Sequence, residues 1–259
     1  MKPWHFLSFM KMALNKVLIV GSAPDALKTA DWDTSCFSHT VVINNAWKAC
    51  PSWSCLIYPE DFPVDRRPGD DDSRGKRIVT AEEFVPVQNE FGGFIYAGGT
   101  MSFTAGYWAL GALKPDVIAY IGCDMVYEAT PGGSTHFYGL GTADPLRSDV
   151  TLQSLEAKSL RLQALANQNG CAVVNLSERE KSRLCFPRMA FASLEAMSQR
   201  PDIDTPLPCA VESALSAESD LGYWVESGRY WEEVGKFNKQ KLRDIDDLWL
   251  ATATGLALT

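Results

Sequence analysis

The residues that could do chemistry in this sequence stand at the ends of apolar runs. Gly21-Ser22-Ala23-Pro24 follows Val17-Leu-Ile-Val20, and Gly122-Cys123-Asp124 follows Val117-Ile-Ala-Tyr-Ile121. His136 lies in the glycine-rich loop that comes next. A strand that ends in a small-residue turn and opens a helix presents free backbone N–H groups and the positive helix end, a place for a phosphate or carboxylate. A carboxylate and an imidazole can take or give a proton near neutral pH. The combination suits an anionic ligand at the turn with Asp124 and His136 as the groups that could exchange a proton with it. Of the three histidines, His5 sits near the N-terminus and His39 leads into a strand, which leaves His136 for the site.

These residues need a sheet to bring them together. Four consecutive apolar residues at 17–20 fit a strand buried on both faces, and Pro24 suits the first turn of a helix over roughly 24–30, with Ser22 as its cap. Thr40–Ile43 and Ser54–Tyr58 read as the second and third strands, Phe94–Tyr96 as a short further one, Val117–Ile121 as the strongest and Cys171–Val174 as the last. Helical spacing runs over Met101–Leu113 and Leu152–Asn167. This alternation predicts an α/β fold, a doubly wound and mostly parallel sheet, in which ligands bind beyond the carboxyl ends of the strands. Asn45, Tyr58, Glu60 and the turn Gly98-Gly99-Thr100 then share an edge with Gly21. Residues 1–16 read as a loose tail, 17–200 as the α/β domain, and 201–259 as a linker and helical C-terminal extension. That extension carries Trp224, Trp231 and Trp249 and could clasp the core, pair with a second copy as a homodimer, or bind an acceptor protein.

Composition narrows the function. A chain of 259 residues with 46% hydrophobic content can bury a full core, and a formal net charge of -8 argues against nucleic acid as a main partner. The seven cysteines lack the paired spacing of a zinc site, and reduced thiols in a cytoplasmic protein are expected. A peripheral position at the inner membrane face is the minority reading, resting on the aromatic residues among 1–16. No apolar run approaches a membrane span. There is no nucleophile elbow, His-Glu-x-x-His or P-loop pattern. The segment 59–77, with Asp70-Asp71-Asp72 in it, reads as a charged surface loop rather than a metal site, and its cations Arg66, Arg67, Arg74 and Lys76 could close over an anionic ligand.

Beyond these readings, Val17–Pro24 resembles the strand and Gly-Asn-Gly-Pro-Ser turn of the bacterial CMP-sialic-acid sialyltransferases. It is also similar to the same turn in motility-associated flagellin glycosyltransferases and 6-hydroxymethylpterin diphosphokinase-like proteins. Gly98-Gly99-Thr100-Met101, Ile121–Tyr127 and Ser134–Gly139 resemble the central block of the last two groups in order and spacing, so the likeness spans roughly residues 17–185. It implies a Rossmann-like fold that binds a nucleotide without a P-loop. It also implies that Gly21, Ser22, Ala23, Pro24, Asn45, Gly98, Gly99, Thr100 and Gly122 line the nucleotide site, with Asn45 matching the asparagine that contacts the nucleotide. Tyr127 or Tyr138 takes the place of the tyrosines that stabilise the departing phosphate. Ser22 stands where that turn has asparagine, and Leu140 where the sialyltransferases carry their base histidine. Three functions follow as expectations. The first is sugar transfer from a CMP-nonulosonic acid or similar donor to a glycan or protein acceptor, needing no metal. The second is diphosphoryl transfer from ATP with Mg2+ held by Asp124 and Glu60. The third is a non-catalytic nucleotide-binding module.

Overall fold

The computed structural model of the chain describes residues 13–126, 135–139 and 149–253. Six strands form one all-parallel sheet in the order β4-β3-β2-β1-β5-β6. They are β1 (Lys16–Val20), β2 (His39–Ile43), β3 (Cys55–Ile57), β4 (Arg77–Val79), β5 (Val117–Ile121) and β6 (Ala172–Asn175). The chain steps outward from β1 to β4, then returns to the other side of β1 for β5 and β6. Consecutive connections therefore diverge at the ends of β1 and β5, where Val20 pairs with Ile121.

The helices are α1 (Asp70–Ser73), α2 (Ala81–Asn89), α3 (Gly93–Ala97), α4 (Met101–Trp108), α5 (Leu155–Gln168), α6 (Phe191–Glu195), α7 (Pro208–Leu221) and α8 (Lys239–Ala251). Side chains alternate along each strand, so Val17, Ile19, Val41, Ile57 and Ile118 reach one face, and Leu18, Val20, Val42, Leu56 and Ala119 the other. The first face is covered by α2 to α5 with α7 and α8, which contribute Phe84, Ile95, Tyr107, Leu162, Val211 and Trp249. The second is covered by short 3-10 segments at Pro24–Ala30 and Asn44–Lys48 and by α6, through Ala26, Ala46 and Leu194. Burial on both faces is what a run of valine and isoleucine without alternation predicts, and each such side chain stabilises by about 1.5–3 kcal/mol.

Three local expectations are corrected. Phe94–Tyr96 is not a strand but the centre of α3, bracketed by Gly92, Gly93 and Gly98 at positive φ, and all five residues of α3 are buried. A short apolar run reads alike as strand or buried helix. Ser22 does not cap the helix at Pro24: Ala23 holds the cap position, without a side-chain bond. The charged stretch 59–77 carries the helical turn α1, and β4 begins at its end on the strength of Ile78 and Val79 alone.

The C-terminal helices pack on α5. Lys158 Nζ pairs with Asp246 at 2.6 Å, and Arg161 binds Glu218 through Nε and Nη2, each at 2.8 Å, all four side chains buried. Trp249 donates to Glu218 at 2.7 Å and is wholly buried. The described part of the C-terminal extension, residues 201–253, clasps the core. No helix of the described residues is long and apolar enough to cross a membrane.

Candidate functional site

At the divergence point the backbones of β1 and β5 close on each other. Gly21 N–H donates to Ile121 and Ala23 N–H to Gly122, at 2.8 and 2.9 Å. A Cβ on Gly21 would lie 2.3 Å from the Gly122 carbonyl, and Gly122 itself takes φ +70. The two glycines thus serve a tight seam between strands, and two of the amides expected to face an anion are bound to β5. The Thr135–Gly139 segment lies over this turn, with Phe137 N–H donating to the Ser22 carbonyl at 2.9 Å. Ser22, Pro24 at the start of its helical turn, Gly122, Asp124 and the segment holding His136 are therefore neighbours along one edge.

Asp124 is fully buried. Its carboxylate accepts from Ser177 Oγ at 2.6 Å and from Asn175 Nδ2 at 3.3 Å, both from the end of β6. Beside it stands Asp25, whose two carboxylate oxygens are shielded from solvent without a hydrogen-bond partner. Burial raises the Asp25 pKa first; the Ser177 hydroxyl and Arg179 oppose this and Asp124 adds to it. The single hydroxyl proton of Ser177 goes to Asp124, which leaves the Asp25 oxygens without it. Arg179 Nη1 is likewise shielded and unpartnered. Asp25, Asp124 and Arg179 thus form a shielded cluster of two carboxyls and a guanidinium beside the turn. His136 is buried, its Nδ1 is 2.9 Å from Thr135 Oγ1, its ring stacks on Tyr138, and burial lowers its pKa below 6.5.

The remaining expected residues divide. Asn45 is buried in the turn after β2, next to Asn44, which takes φ +51 and has a shielded Oδ1 without a partner. Gly98, Gly99 and Thr100 lead into α4 at a second place on the edge. Gly99 N–H donates to Thr151 Oγ1 at 2.9 Å, and a Cβ there would lie 1.8 Å from the Tyr230 hydroxyl. Thr100 is buried and its carbonyl accepts the first amides of α4, Phe103 and Thr104. The turn forms part of a cavity of about 460 Å3, together with Glu60, Asp61, Phe84, Phe94, Asp149 and residues 227–231. A second, more open hollow of about 620 Å3 lies around Arg161, Tyr223 and Trp224. Gly21, Ser22, Asn45, Gly122, Asp124 and His136 line neither of these two. Tyr127 and Leu140 lie outside the described residues.

The carboxylates named for Mg2+ do not meet. Glu60 follows β3 and is paired with Arg229 at 3.0 Å, whereas Asp124 follows β5. Three strand spacings separate those ends, roughly 14 Å. Among the described residues no group of three or more His, Cys, Asp or Glu side chains is placed to hold a metal. The sequence reading missed Asp25 and Arg179. Asp25 was discoverable as the acid in the first turn after the glycine turn, where a helix N-terminus favours a carboxylate; Arg179 had no signal. No family model, no curated protein and no solved structure matches the chain.

Proposed function

We propose that the chain is a transferase of the Rossmann-like kind, taking a nucleotide-activated sugar at the divergence of β1 and β5 and passing the sugar to an acceptor hydroxyl. One observation carries this: Asp25 and Arg179 hold shielded polar atoms of opposite charge, without partners, beside Asp124. A glycosyl transition state builds negative charge on the leaving phosphate while the acceptor loses a proton. Asp25 takes that proton, the acceptor oxygen bonds to the anomeric carbon, and the electron pair of the broken C–O bond leaves on the phosphate beside Arg179. Asp124, bound by Ser177 and Asn175, stands beside Asp25 and helps to raise its pKa. The sequence resemblance supports a CMP-nonulosonic acid as donor. In the test, purified protein is screened for thermal stabilisation by CMP, CDP and ATP with magnesium, and for release of CMP from CMP-sugars. Stabilisation by CMP or CDP, and turnover that survives a chelator and falls at least 100-fold in Asp25→Asn, is expected. No response to any cytidine nucleotide would refute it.

One observation favours the diphosphokinase-like reading. The free oxygens of Asp25 beside Asp124 suit a divalent cation, since magnesium is commonly held by one or two carboxylates plus substrate phosphates. There Asp25 would hold the ion, which would neutralise phosphate charge, and Asp124 would fix its surroundings. Stabilisation by ATP only with magnesium is its signature.

A further inference from the structure

The cavity of about 460 Å3 beyond β3 and β4 is within the range that holds small ligands, and it is separate from the divergence point. Two strand spacings, roughly 10 Å, lie between the ends of β1 and β3. The lining decides what could enter. Its one cation among the described residues, Arg229, reaches Glu60 at 3.0 and 3.3 Å and lies 3.7 Å from Glu232. An anion would find no cation that is not already matched.

The acids are matched as well. Glu60 has Arg229, and the Asp149 carboxylate accepts from Thr151 N and Oγ1 at 2.7 Å and from the Tyr230 hydroxyl at 2.6 Å. Only Asp61 is left, exposed to solvent, which gives an organic cation little to hold. What remains on offer is aromatic surface and acceptor oxygens. Phe94 and Tyr230 stack with centroids 6.4 Å apart, and Trp231, which is 59% exposed, stands edge-on to Tyr230 at 5.5 Å. Aromatic faces suit the C–H face of a pyranose, and matched carboxylates still have lone pairs for its hydroxyls.

We infer that this cavity, between Glu60, Asp149 and the Tyr230–Trp231 pair, binds an uncharged pyranose ring. The inference rests on the transfer reading only for the ring's role, as part of a glycan acceptor whose reacting hydroxyl reaches the Asp25 centre. Tyr230 lines the site against Gly99, which has no side chain to displace its hydroxyl.

The experiment is saturation-transfer NMR on the intact protein with the methyl glycosides of glucose, galactose and N-acetylglucosamine, against glucuronate, glucosamine and CMP as competitors. At least one neutral glycoside is expected to saturate, strongest on the protons of one ring face, with affinity falling at least tenfold in Trp231→Ala and recovering in Trp231→Phe. Because Trp231 is mostly exposed, the alanine variant keeps its fold, checked by circular dichroism. Absence of saturation for all three glycosides would overturn the inference. So would tighter binding of glucuronate or glucosamine, or unchanged affinity in Trp231→Ala. Glycoside binding without CMP release from any CMP-sugar would refute the transfer reading and leave the cavity assignment standing.

Discussion

The Asp25 carboxyl is held with a raised pKa, chiefly by burial, and that has a consequence for stability as well as for chemistry. A carboxyl that binds its proton more tightly folded than unfolded lowers stability as pH rises from its ordinary value of 3.8 through the folded value. Asp25→Asn should therefore raise stability at pH 7 on the order of 1 kcal/mol, while abolishing transfer. Urea denaturation at pH 7 checks the first half, and a variant less stable than the parent would show that Asp25 is held by bonds rather than burial. His136 has the opposite sign. Burial depresses its pKa, so the unfolded chain binds the proton better, and stability present above pH 6.5 is lost as pH falls below it toward the folded value. His136→Gln should flatten that part of the stability profile between pH 7 and 5.5. An unchanged slope would place the titration elsewhere.

Much of the sheet could be read from the sequence because β1, β2, β5 and β6 are each built around valine or isoleucine, whose burial on both faces needs no partner to be inferred. Shorter elements failed for a physical reason. In α3, five buried residues give no periodicity to separate helix from strand, and β4 rests on two apolar residues after a charged stretch. On α5 the helical spacing holds, but four of its polar positions do not face water. Lys158, Ser159, Arg161 and Gln163 are buried, because α7 and α8 bring carboxylates to the two cations. Burial alone would lower the Arg161 pKa, yet Glu218 and the Tyr107 hydroxyl together raise it. A buried pair is strong evidence of mutual dependence rather than of net stability. Glu218→Gln should cost about 3–5 kcal/mol by leaving the guanidinium uncompensated, and the double variant with Arg161→Met should recover a large part of it. Additive losses in that cycle would mean that the two side chains act separately.

Parallel strands present their carboxyl ends on one edge, which is why Gly21, Asn45, Gly99, Asp124 and the His136 segment were expected together; Gly21, Gly122 and the His136 segment are neighbours there, whereas Gly99 lines a separate cavity. What Gly21 and Gly122 do was not readable: they close the seam between β1 and β5, and the polar atoms left over belong to Asp25 and Arg179. Nor could the sequence join Lys158 to Asp246 or Gly99 to Tyr230, since each pair is brought together only by the packing of residues 201–253 on α5 and over the edge. That packing makes the C-terminal segment part of the core. It supplies Val211, Ala214, Leu242, Ile245 and Trp249 to the cluster that contains Tyr107 and Trp108, and removal of a buried tryptophan alone costs about 3–5 kcal/mol. A whole domain has only about 5–15 kcal/mol to lose. A chain ended at Arg200 would leave Lys158 and Arg161 without their carboxylates above an uncovered apolar face. It should lose cooperative thermal unfolding and near-UV circular dichroism while keeping helical signal, and should bind a hydrophobic dye. Cooperative melting of that shortened chain within a few degrees of the full one would show instead that the sheet and α2 to α6 suffice, with α7 and α8 resting on a finished core.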